Sequence, residues 1–435
     1  MKIAVLGLWH QGVVGAACLV DMGHEVAAAD SNADRIVLLK QGRPPLFEPG
    51  LDALLDKGLA SGRLAFTTDH AEAVREAPYV FVMFDTPVND RDESDLTEIF
   101  STFEVIAPAL RPDAVVLVTA QIPVGTCEAL AETLRNKAPN YSATIAYMPE
   151  NLRLGQAIER FMAPVLPVIG CDHAKTFERL LMVLGPLASE WHRVSLRTAE
   201  MIKHALNGFL AMTISFANEL GNICDAAGAD GKRIGELLRL EPRVGAKAML
   251  LPGLGFSGGT LARDMQTLRG LGRRFDLGTP LLDGVWTANA EQNRLVLRKL
   301  ARALPKLQGA RVAVLGLTYK PDTSTLRRSA AMEVVADLVK AGAIVSTHDP
   351  RADREELKAY TGFAFYEDAL AAVTQAEALV LMTPWNEYRD IDFENIRGRM
   401  ANYYILDTAG LWNADLLIRL GFIYDDIGRG RRPSM

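Results

Sequence analysis

Short, almost entirely apolar runs recur in two parts of this 435-residue chain, and a stretch long enough for a helix follows each run. Apolar strands of four or five residues are typical of a parallel sheet covered by helices on both faces. The pattern therefore predicts an α/β protein with two such sheets. The runs are 3–6, 25–29, 79–83 and 115–118 in the N-terminal third, and 312–315, 343–345, 378–381 and 404–406 near the C-terminus.

The segment between the two sets, from about Leu196 to Gly228, has no proline and is rich in Ala, Leu, Ile and Met. Its apolar residues keep a helical stripe, which predicts one continuous helix. Such a helix is roughly 50 Å long, more than the width of a domain. We expect it to join the two sheets and to supply an oligomer surface.

Composition excludes several classes of protein. The net charge is −6, and no basic run occurs outside 429–432, which argues against a nucleic-acid surface. Four scattered cysteines without a C-x-x-C pair, and seven histidines without ligand spacing, predict neither a disulfide framework nor a metal site, and they fit a reducing cytoplasm. Residues 9–12 interrupt the N-terminal apolar run, and no other run reaches the length of a membrane span.

The first strand leads into Gly7-Leu8-Trp9-His10-Gln11-Gly12, and Asp30 follows the second strand at the distance of a ribose-binding acid. This context predicts a dinucleotide site. Trp9 occupies the position of the middle glycine, which ordinarily lets backbone approach a pyrophosphate. Either the domain keeps its fold without binding a dinucleotide, or Trp9 packs over the loop. Asp30 favours NAD over NADP, although Arg35 weakens that argument.

Ordered motifs continue along nearly the whole chain, and through them it resembles the UDP-glucose/GDP-mannose dehydrogenase family, the nucleotide-sugar 6-dehydrogenases. The motifs are 44–51 (PPLFEPGL), 85–87 (DTP), 122–126 (IPVGT), 148–155 (MPENLRLG), Lys203 with Asn207, 255–264 (GFSGGTLARD), 316–323 (GLTYKPDT) with Arg327 and Ser329, and 383–388 (TPWNEY).

The resemblance implies two Rossmann-like, doubly wound domains joined by a long central helix. We expect an NAD-binding domain at 1–194, a central dimerisation and substrate-loop region at 195–300, and a nucleotide-sugar-binding domain at 301–435. It further implies a cytoplasmic homodimer paired through the central helix, NAD as cofactor, and a UDP- or GDP-linked sugar as substrate in polysaccharide biosynthesis. No nucleic acid, membrane or metal is expected as a partner.

In this family a sugar alcohol is oxidised twice, with a thioester between the two hydride transfers. Lys203 and Asn207 resemble the groups that stabilise the oxyanion, Asp264 the aspartate that works with a water, and Glu150 the glutamate of thioester hydrolysis. Each role suits the residue's chemistry. On sequence alone, Lys203 and Asn207 are also compatible with a solvated helix face, and Asp264 with an N-cap.

Several positions depart from the family pattern. Thr260 stands where the nucleophilic cysteine is expected, Gln121 where a threonine lies near the catalytic water, and Leu154 where a second glutamate contacts cofactor and substrate. Ser257 replaces a loop glycine, and Ala409 replaces an arginine near the nucleotide. A threonine hydroxyl has a far higher pKa than a thiol and is a poor substitute for it. The first oxidation remains possible, whereas the thioester route is disfavoured.

The remaining predicted site residues follow the matching motifs. Arg327 is expected beside the cofactor phosphates, Lys320 beside the substrate, and Arg243 at the neighbouring subunit's sugar. The cofactor set is Gly7, Trp9, Gly12, Asp30, Arg35, Thr86, Pro87, Gln121 and Arg327, and the substrate set is Asn151, Leu152, Arg153, Arg243, Gly255, Phe256, Ser257 and Lys320.

Three functions fit these residues. The first is a single hydride transfer that gives an aldehyde, or a ketone if another carbon is presented; return of the hydride would make the reaction redox-neutral. The second is full oxidation to a uronic acid through the hydrated aldehyde, with Glu150 as base. The third is nucleotide-sugar binding without turnover, for which Trp9 is the best support.

Overall fold

The computed structural model describes residues 1–87, 94–138, 144–150, 152–257 and 259–430. The chain divides into two compact units, Met1–Leu206 and Asn207–Met435. Each unit contains one sheet, as the apolar runs predict. Within the described residues, no helix is long and apolar enough to cross a membrane.

The first unit is built on an eight-stranded sheet with the order β3-β2-β1-β4-β5-β6-β7-β8. All neighbouring strands are parallel except β6 and β7. The strands are β1 (Lys2–Leu6), β2 (Glu25–Ala29), β3 (Leu64–Thr67), β4 (Tyr79–Val82), β5 (Val115–Val118), β6 (Thr144–Tyr147), β7 (Val168–Gly170) and β8 (His192–Val194).

Helices cover both faces of this sheet. Alternate residues of β1 enter different apolar clusters: Val5 packs with Val13, whereas Leu6 packs with Ile99 on the other face. The helices of this unit are α1 (His10–Asp21), α2 (Ala33–Leu39), α3 (Leu51–Ala60), α4 (His70–Val74), α5 (Thr97–Ile106), α6 (Thr126–Lys137), α7 (Ala157–Met162) and α8 (Ala174–Leu184), with short 3₁₀ turns at Ala107–Ala109 and Gly185–Leu187.

The predicted long helix is confirmed as α9 (Leu196–Ala227), which has 32 residues and a length of about 48 Å. The boundary between the two compact units falls inside it. Its first part therefore belongs to the first unit, and the part from Asn207 onward belongs to the second.

The second unit contains a six-stranded sheet with the order β11-β10-β9-β12-β13-β14, and all its pairs are parallel. This order repeats that of the first six strands of the first sheet. The strands are β9 (Arg311–Leu315), β10 (Ile344–His348), β11 (Phe363–Phe365), β12 (Ala378–Leu381), β13 (Tyr404–Asp407) and β14 (Ile423–Asp426).

The helices of the second unit fall into a group that precedes the sheet and a group that covers it. The first group is α10 (Gly231–Leu238), α11 (Gly259–Arg274) and α12 (Pro280–Ala303). The second is α13 (Ala330–Lys340), α14 (Arg354–Leu357), α15 (Ala369–Ala372), α16 (Phe393–Arg399) and α17 (Ala414–Arg419), with a 3₁₀ turn at Asn386–Tyr388. The α/β class and the two parallel sheets are thus as predicted.

Candidate functional site

An open cleft of about 330 Å³ lies in the first unit, at the carboxyl ends of β1, β2 and β4. Strand order reverses between β1 and β4, the place where open α/β sheets bind ligands. The structure brings six predicted cofactor residues together here. The cleft is lined by Gly7, Leu8, Trp9, Asp30, Arg35, Phe84, Asp85, Thr86, Pro87 and Glu98.

Asp30 is buried and oriented by backbone donors. Its carboxylate accepts hydrogen bonds from the Leu8 N–H (2.7 Å) and the Asn32 N–H (2.9 Å). The Arg35 guanidinium pairs with the same carboxylate at 2.6 Å. An acid fixed in this way at the end of β2 is suited to accept hydrogen bonds from ribose hydroxyls.

Trp9 does not fill the cleft. It is the N-cap residue of α1, with a φ of −77° that any residue adopts, and its side chain is 39% exposed at the cleft wall. The Arg35 guanidinium carbon lies 4.9 Å from the ring centroid, a cation–π contact.

Gly12 allows α1 to pack directly on the end of β1, since a Cβ there would overlap the Gly7 carbonyl oxygen. The helix N-terminus thus remains beside the open cleft.

Sequence reasoning missed two polar residues near this cleft. Glu98 enters its wall from the first turn of α5 and accepts a hydrogen bond from the Ser31 hydroxyl at 3.3 Å. Gln11 is a variable position of the glycine motif, and its amide donates to the Thr119 hydroxyl (2.6 Å) and carbonyl (3.3 Å). Neither residue occupies a fixed position of a motif, so only the fold identifies them.

A second, smaller cavity of about 40 Å³ lies in the first unit near the ends of β4, β5 and β6. Its walls include Gln11, Met83, Thr119, Glu150, Phe161 and Trp191. Gln121, which follows β5, is buried and its carbonyl accepts the Thr86 hydroxyl at 2.8 Å. The ends of these three strands therefore form one connected polar edge next to an apolar cavity.

Lys203 contacts this edge from α9. Lys203 is only 6% exposed. Its ammonium group donates a hydrogen bond to the Glu150 carbonyl at 2.5 Å and lies 3.9 Å from the Glu150 carboxylate. That carboxylate also accepts a hydrogen bond from the Leu152 N–H. A solvated helix face is therefore the wrong interpretation of Lys203: it is a buried cation beside a predicted catalytic carboxylate.

Neighbouring residues of α9 fix the adjacent loop. The buried Glu200 carboxylate accepts the Gly125 N–H (2.6 Å) and the Cys127 N–H (2.8 Å), and His204 bonds the Ile122 carbonyl at 3.0 Å. Burial raises the pKa of Glu200, while the two backbone donors oppose that shift. Helix α9 thus holds the 122–127 loop and the Glu150 backbone in one arrangement. Sequence reasoning did not single out Glu200 or His204.

In the second unit, Asn207 of α9 meets Asp264 of α11. Both are buried, at 5% and 0% exposure, and the Asn207 amide donates to the Asp264 carboxylate. Asp264 lies well inside α11, which begins at Gly259, so the N-cap interpretation is wrong. This hydrogen bond brings together two residues that the sequence analysis assigns to the reacting oxygen and its proton.

The structure describes the loop before α11 as far as Ser257. Phe256 is buried against Ala211, Met265 and Val285. Thr260 lies exposed in the first turn of α11, and none of the described side chains hydrogen-bonds to its hydroxyl. Of the other predicted substrate residues, Asn151 lies outside the described residues.

The predicted basic contacts lie on the surface of the single chain. Arg243 is exposed after α10 and pairs with Glu241 at 2.9 Å. Lys320 and Arg327 are exposed on the loop between β9 and α13, and Arg153 is exposed on the loop after β6. Their charged groups are available to a ligand or a second subunit.

The second sheet repeats the turn and the acidic residue of the predicted dinucleotide site, but protein groups there occupy the carboxylate. Gly316 (φ +86°) follows β9 as Gly7 (φ +87°) follows β1, and Asp349 accepts the Leu317 N–H at 2.7 Å. The same Asp349 oxygen also accepts the Thr318 N–H and hydroxyl at 3.0 and 3.1 Å, and the Trp385 indole N–H at 3.1 Å. Protein donors therefore saturate that oxygen, which disfavours a ribose there.

No cysteine is placed to serve as a nucleophile in place of Thr260. All four are buried, and burial raises the pKa of each thiol, that of Cys18 to about 12. Among the described residues, no group of three His, Cys, Asp or Glu side chains is arranged to hold a metal ion.

Three family models match the chain in succession. They describe the UDP-glucose/GDP-mannose dehydrogenase family: the NAD binding domain at residues 1–187, the central domain at 197–291 and the UDP binding domain at 313–414. The NAD binding domain contains the open cleft. The central domain contains Lys203, Asn207 and Asp264.

Characterised relatives and solved structures match over nearly the full length. A UDP-glucose 6-dehydrogenase from Rhizobium meliloti is 36% identical, covering 99% of this chain and 100% of that protein. One from Pseudomonas aeruginosa is 32% identical, covering 99% and 98%. The structure of a UDP-glucose dehydrogenase from Pyrobaculum islandicum has a TM-score of 0.87 at 31% identity, covering 98% and 96% of the two chains.

Proposed function

Because the chain belongs to the UDP-glucose/GDP-mannose dehydrogenase family, a family of NAD-dependent nucleotide-sugar dehydrogenases, we propose that it oxidises a nucleotide diphosphate sugar by one hydride transfer. The sugar C6 alcohol becomes an aldehyde, or another carbinol carbon becomes a ketone. One observation carries this proposal. Lys203, Asn207 and Asp264 are buried and hydrogen-bonded, while Thr260 stands at the position expected for the nucleophilic cysteine.

The first-unit cleft fits the adenosine half of NAD. Asp30 is oriented for the ribose hydroxyls, and the α1 N-terminus with Gly7 and Gly12 is left open for the pyrophosphate. We place the nicotinamide half at the smaller cavity beside Gln11, close to Glu150. When bound there, NAD supplies the acceptor for the hydride.

The proposed catalytic groups act on the substrate oxygen. The substrate hydroxyl must lose its proton before or while the carbon–hydrogen bond breaks, and negative charge then develops on the oxygen. The Lys203 ammonium and the Asn207 amide stabilise that charge, and Asp264 accepts the proton directly or through water. Burial strengthens each interaction, because little water competes for the oxygen.

The second oxidation lacks its covalent step. A thioester needs a thiolate, and the Thr260 hydroxyl has neither a low pKa nor a hydrogen-bonded base among the described side chains. The four cysteines are buried and protonated at neutral pH. Oxidation therefore stops at the carbonyl product.

The substrate contacts are also proposed. Leu152, Arg153, Gly255, Phe256 and Ser257 contact the sugar, and Lys320 and Arg327 contact the phosphates of substrate and cofactor. Two relatives are named UDP-glucose 6-dehydrogenases, which favours a UDP-linked sugar. We retain 1–194, 195–300 and 301–435 as cofactor, central and nucleotide-sugar regions.

Product analysis tests this function. The protein is incubated with NAD and a mixture of UDP- and GDP-sugars, and the sugar products are trapped with a carbonyl reagent and identified by mass spectrometry. We expect a carbonyl product that is two hydrogens lighter than its parent. A uronic acid as the main product contradicts a single transfer, and no consumption of any sugar contradicts the enzymatic function.

A second function, full 6-dehydrogenation without a covalent intermediate, is favoured by the position of Glu150. Its carboxylate lies 3.9 Å from the Lys203 ammonium and lines the smaller cavity, so it is available as a base for a hydrated aldehyde. The names of the relatives agree with this product. In the product analysis this function gives a uronic acid without any sugar attached to the protein.

We further propose a homodimer paired through α9. Phe209, Phe216 and Ile223 are 57%, 53% and 63% exposed and recur every seventh residue, which places them on one helix face. A continuous exposed apolar stripe of this kind marks an interaction surface.

Replacing Phe216 with glutamate is expected to convert the dimer into single chains, since it buries a charge at the centre of the stripe. Light scattering after gel filtration measures the mass. Phe275→Glu, at an equally exposed position outside α9, is the control and should leave the dimer intact. An unmutated protein that elutes as a single chain at micromolar concentration contradicts the proposal.

A further inference from the structure

Three side-chain amides from α9 and α12 hold the backbone of the segment Gly253–Phe256, which leads into α11. We propose that Asn218, Asn289 and Gln292, here named the amide clamp, are positioning residues for the reaction. This inference rests on the proposed function, because the segment leads to Ser257 and to the helix that contains Thr260, both assigned there to the reaction.

Asn289 makes the most direct contact. Its carbonyl oxygen accepts the Phe256 N–H at 2.6 Å, and its NH₂ donates to the Phe256 carbonyl at 3.0 Å. One side chain therefore satisfies both backbone polar groups of one residue. This arrangement fixes the peptide planes on either side of Phe256, as a neighbouring β-strand does.

Asn218 and Gln292 bond backbone groups earlier in the segment. The Asn218 side chain accepts the Gly253 N–H at 2.9 Å and donates to the Leu254 carbonyl at 3.0 Å. Gln292 donates to the Gly253 carbonyl at 2.6 Å and accepts from Asn222 at 2.9 Å. Asn218 and Gln292 are 3% and 2% exposed, so water does not compete for these bonds.

Gly255 shows how closely the segment approaches α12. A Cβ at this position would lie 2.7 Å from the Asn289 side-chain oxygen and 2.9 Å from the Asn289 carbonyl. The second atom is backbone and cannot move aside. Gly255 and the amide clamp thus depend on each other. The glycine permits the segment to approach α12 closely, and the side-chain amides then reach its backbone groups.

The clamped segment is coupled to the proposed catalytic carboxylate through packing. Phe256 packs against Met265, the residue after Asp264, and against Ala211, which is one helical turn beyond Asn207 in α9. A shift of the segment therefore shifts the start of α11 relative to α9. Displacements of about 1 Å at such a site can cost on the order of a hundredfold in rate.

The test compares Asn289→Ala with Asn293→Ala. Asn293 lies one turn further along α12 and bonds the Glu333 side chain at 2.8 Å instead of the loop backbone. For Asn289→Ala we expect kcat to fall by at least about tenfold, KM for NAD to stay within about twofold, and amide hydrogen exchange in 253–257 to accelerate. Asn289→Asp, which keeps the acceptor, should lie between Asn289→Ala and the parent.

The outcomes separate this inference from the proposed function. Faster exchange with an unchanged kcat, or unchanged exchange in Asn289→Ala, overturns the amide clamp as a positioning device. An inactive parent protein overturns the proposed turnover instead. In that case nucleotide-sugar affinity, measured by calorimetry, decides: a loss of about tenfold in Asn289→Ala but not in Asn293→Ala supports the positioning role, and equal affinities reject it.

Discussion

Lys203→Met is expected to lower kcat by about 10²–10³, the usual cost of removing one preorganised oxyanion stabiliser. Methionine matches the length and the buried packing of the lysine stem but carries no charge. The affinity for NAD should stay within about twofold, because Lys203 lines neither the open cleft nor the smaller cavity. Steady-state NADH formation and an NAD titration give the two quantities.

Two controls separate catalysis from folding. Lys203 also holds the Glu150 carbonyl, so the thermal unfolding of Lys203→Met must be compared with that of the parent. Arg197→Met changes an exposed cation of the same helix that pairs with Glu128, and surface pairs of this kind contribute about 1 kcal/mol or less. A Lys203→Met protein that folds normally and keeps its full kcat contradicts the proposed role.

Thr260→Cys is expected to extend the reaction by a second oxidation, so that the NADH formed per sugar rises from one toward two. The thiolate adds to the aldehyde carbon, the hemithioacetal carbon gives its hydride to a second NAD, and the resulting thioester is hydrolysed by water to an acid and free thiol. Position 260 lies in the first turn of α11, where the helix N-terminus favours a thiolate.

Thr260→Ser is the matched variant, since it retains a hydroxyl and should still give one NADH per sugar. Protein mass spectrometry of Thr260→Cys should reveal an added sugar when turnover is stopped early. If Thr260→Cys forms no more acid than the parent, the missing thiol is not what limits the native chain. In that case the next candidates for the limiting feature are Gln121 and Leu154, which also depart from the family pattern.

Much of the fold could be predicted because its strands are buried on both faces. The runs at 115–118 and 378–381 coincide with β5 and β12, because every residue of these covered parallel strands is apolar and buried. Strands β3, β6, β7, β8, β11 and β14 were not predicted. Of these, β7, β8 and β11 have only three residues each, and β8 is largely exposed, so pairing and not apolar patterning defines them.

Site residues could be predicted only where they belong to sequence motifs. Asp30 and Thr86 belong to short motifs, and they line one cleft as expected. Glu200 and Asn289 had no such signal, because a polar residue on a helix usually faces water and these act through backbone groups distant in sequence. Trp9 was recognised as a departure from the motif. Its contact with Arg35 depends on the turn between β1 and α1 and had no sequence signature.

The central claim concerns how far the oxidation proceeds, and the ratio of NADH formed to sugar consumed tests it most directly. Limiting nucleotide sugar is converted to completion with excess NAD, and both quantities are measured in the same sample. The account predicts one NADH for each sugar, with a carbonyl product. Two NADH for each sugar, together with a uronic acid, would contradict it.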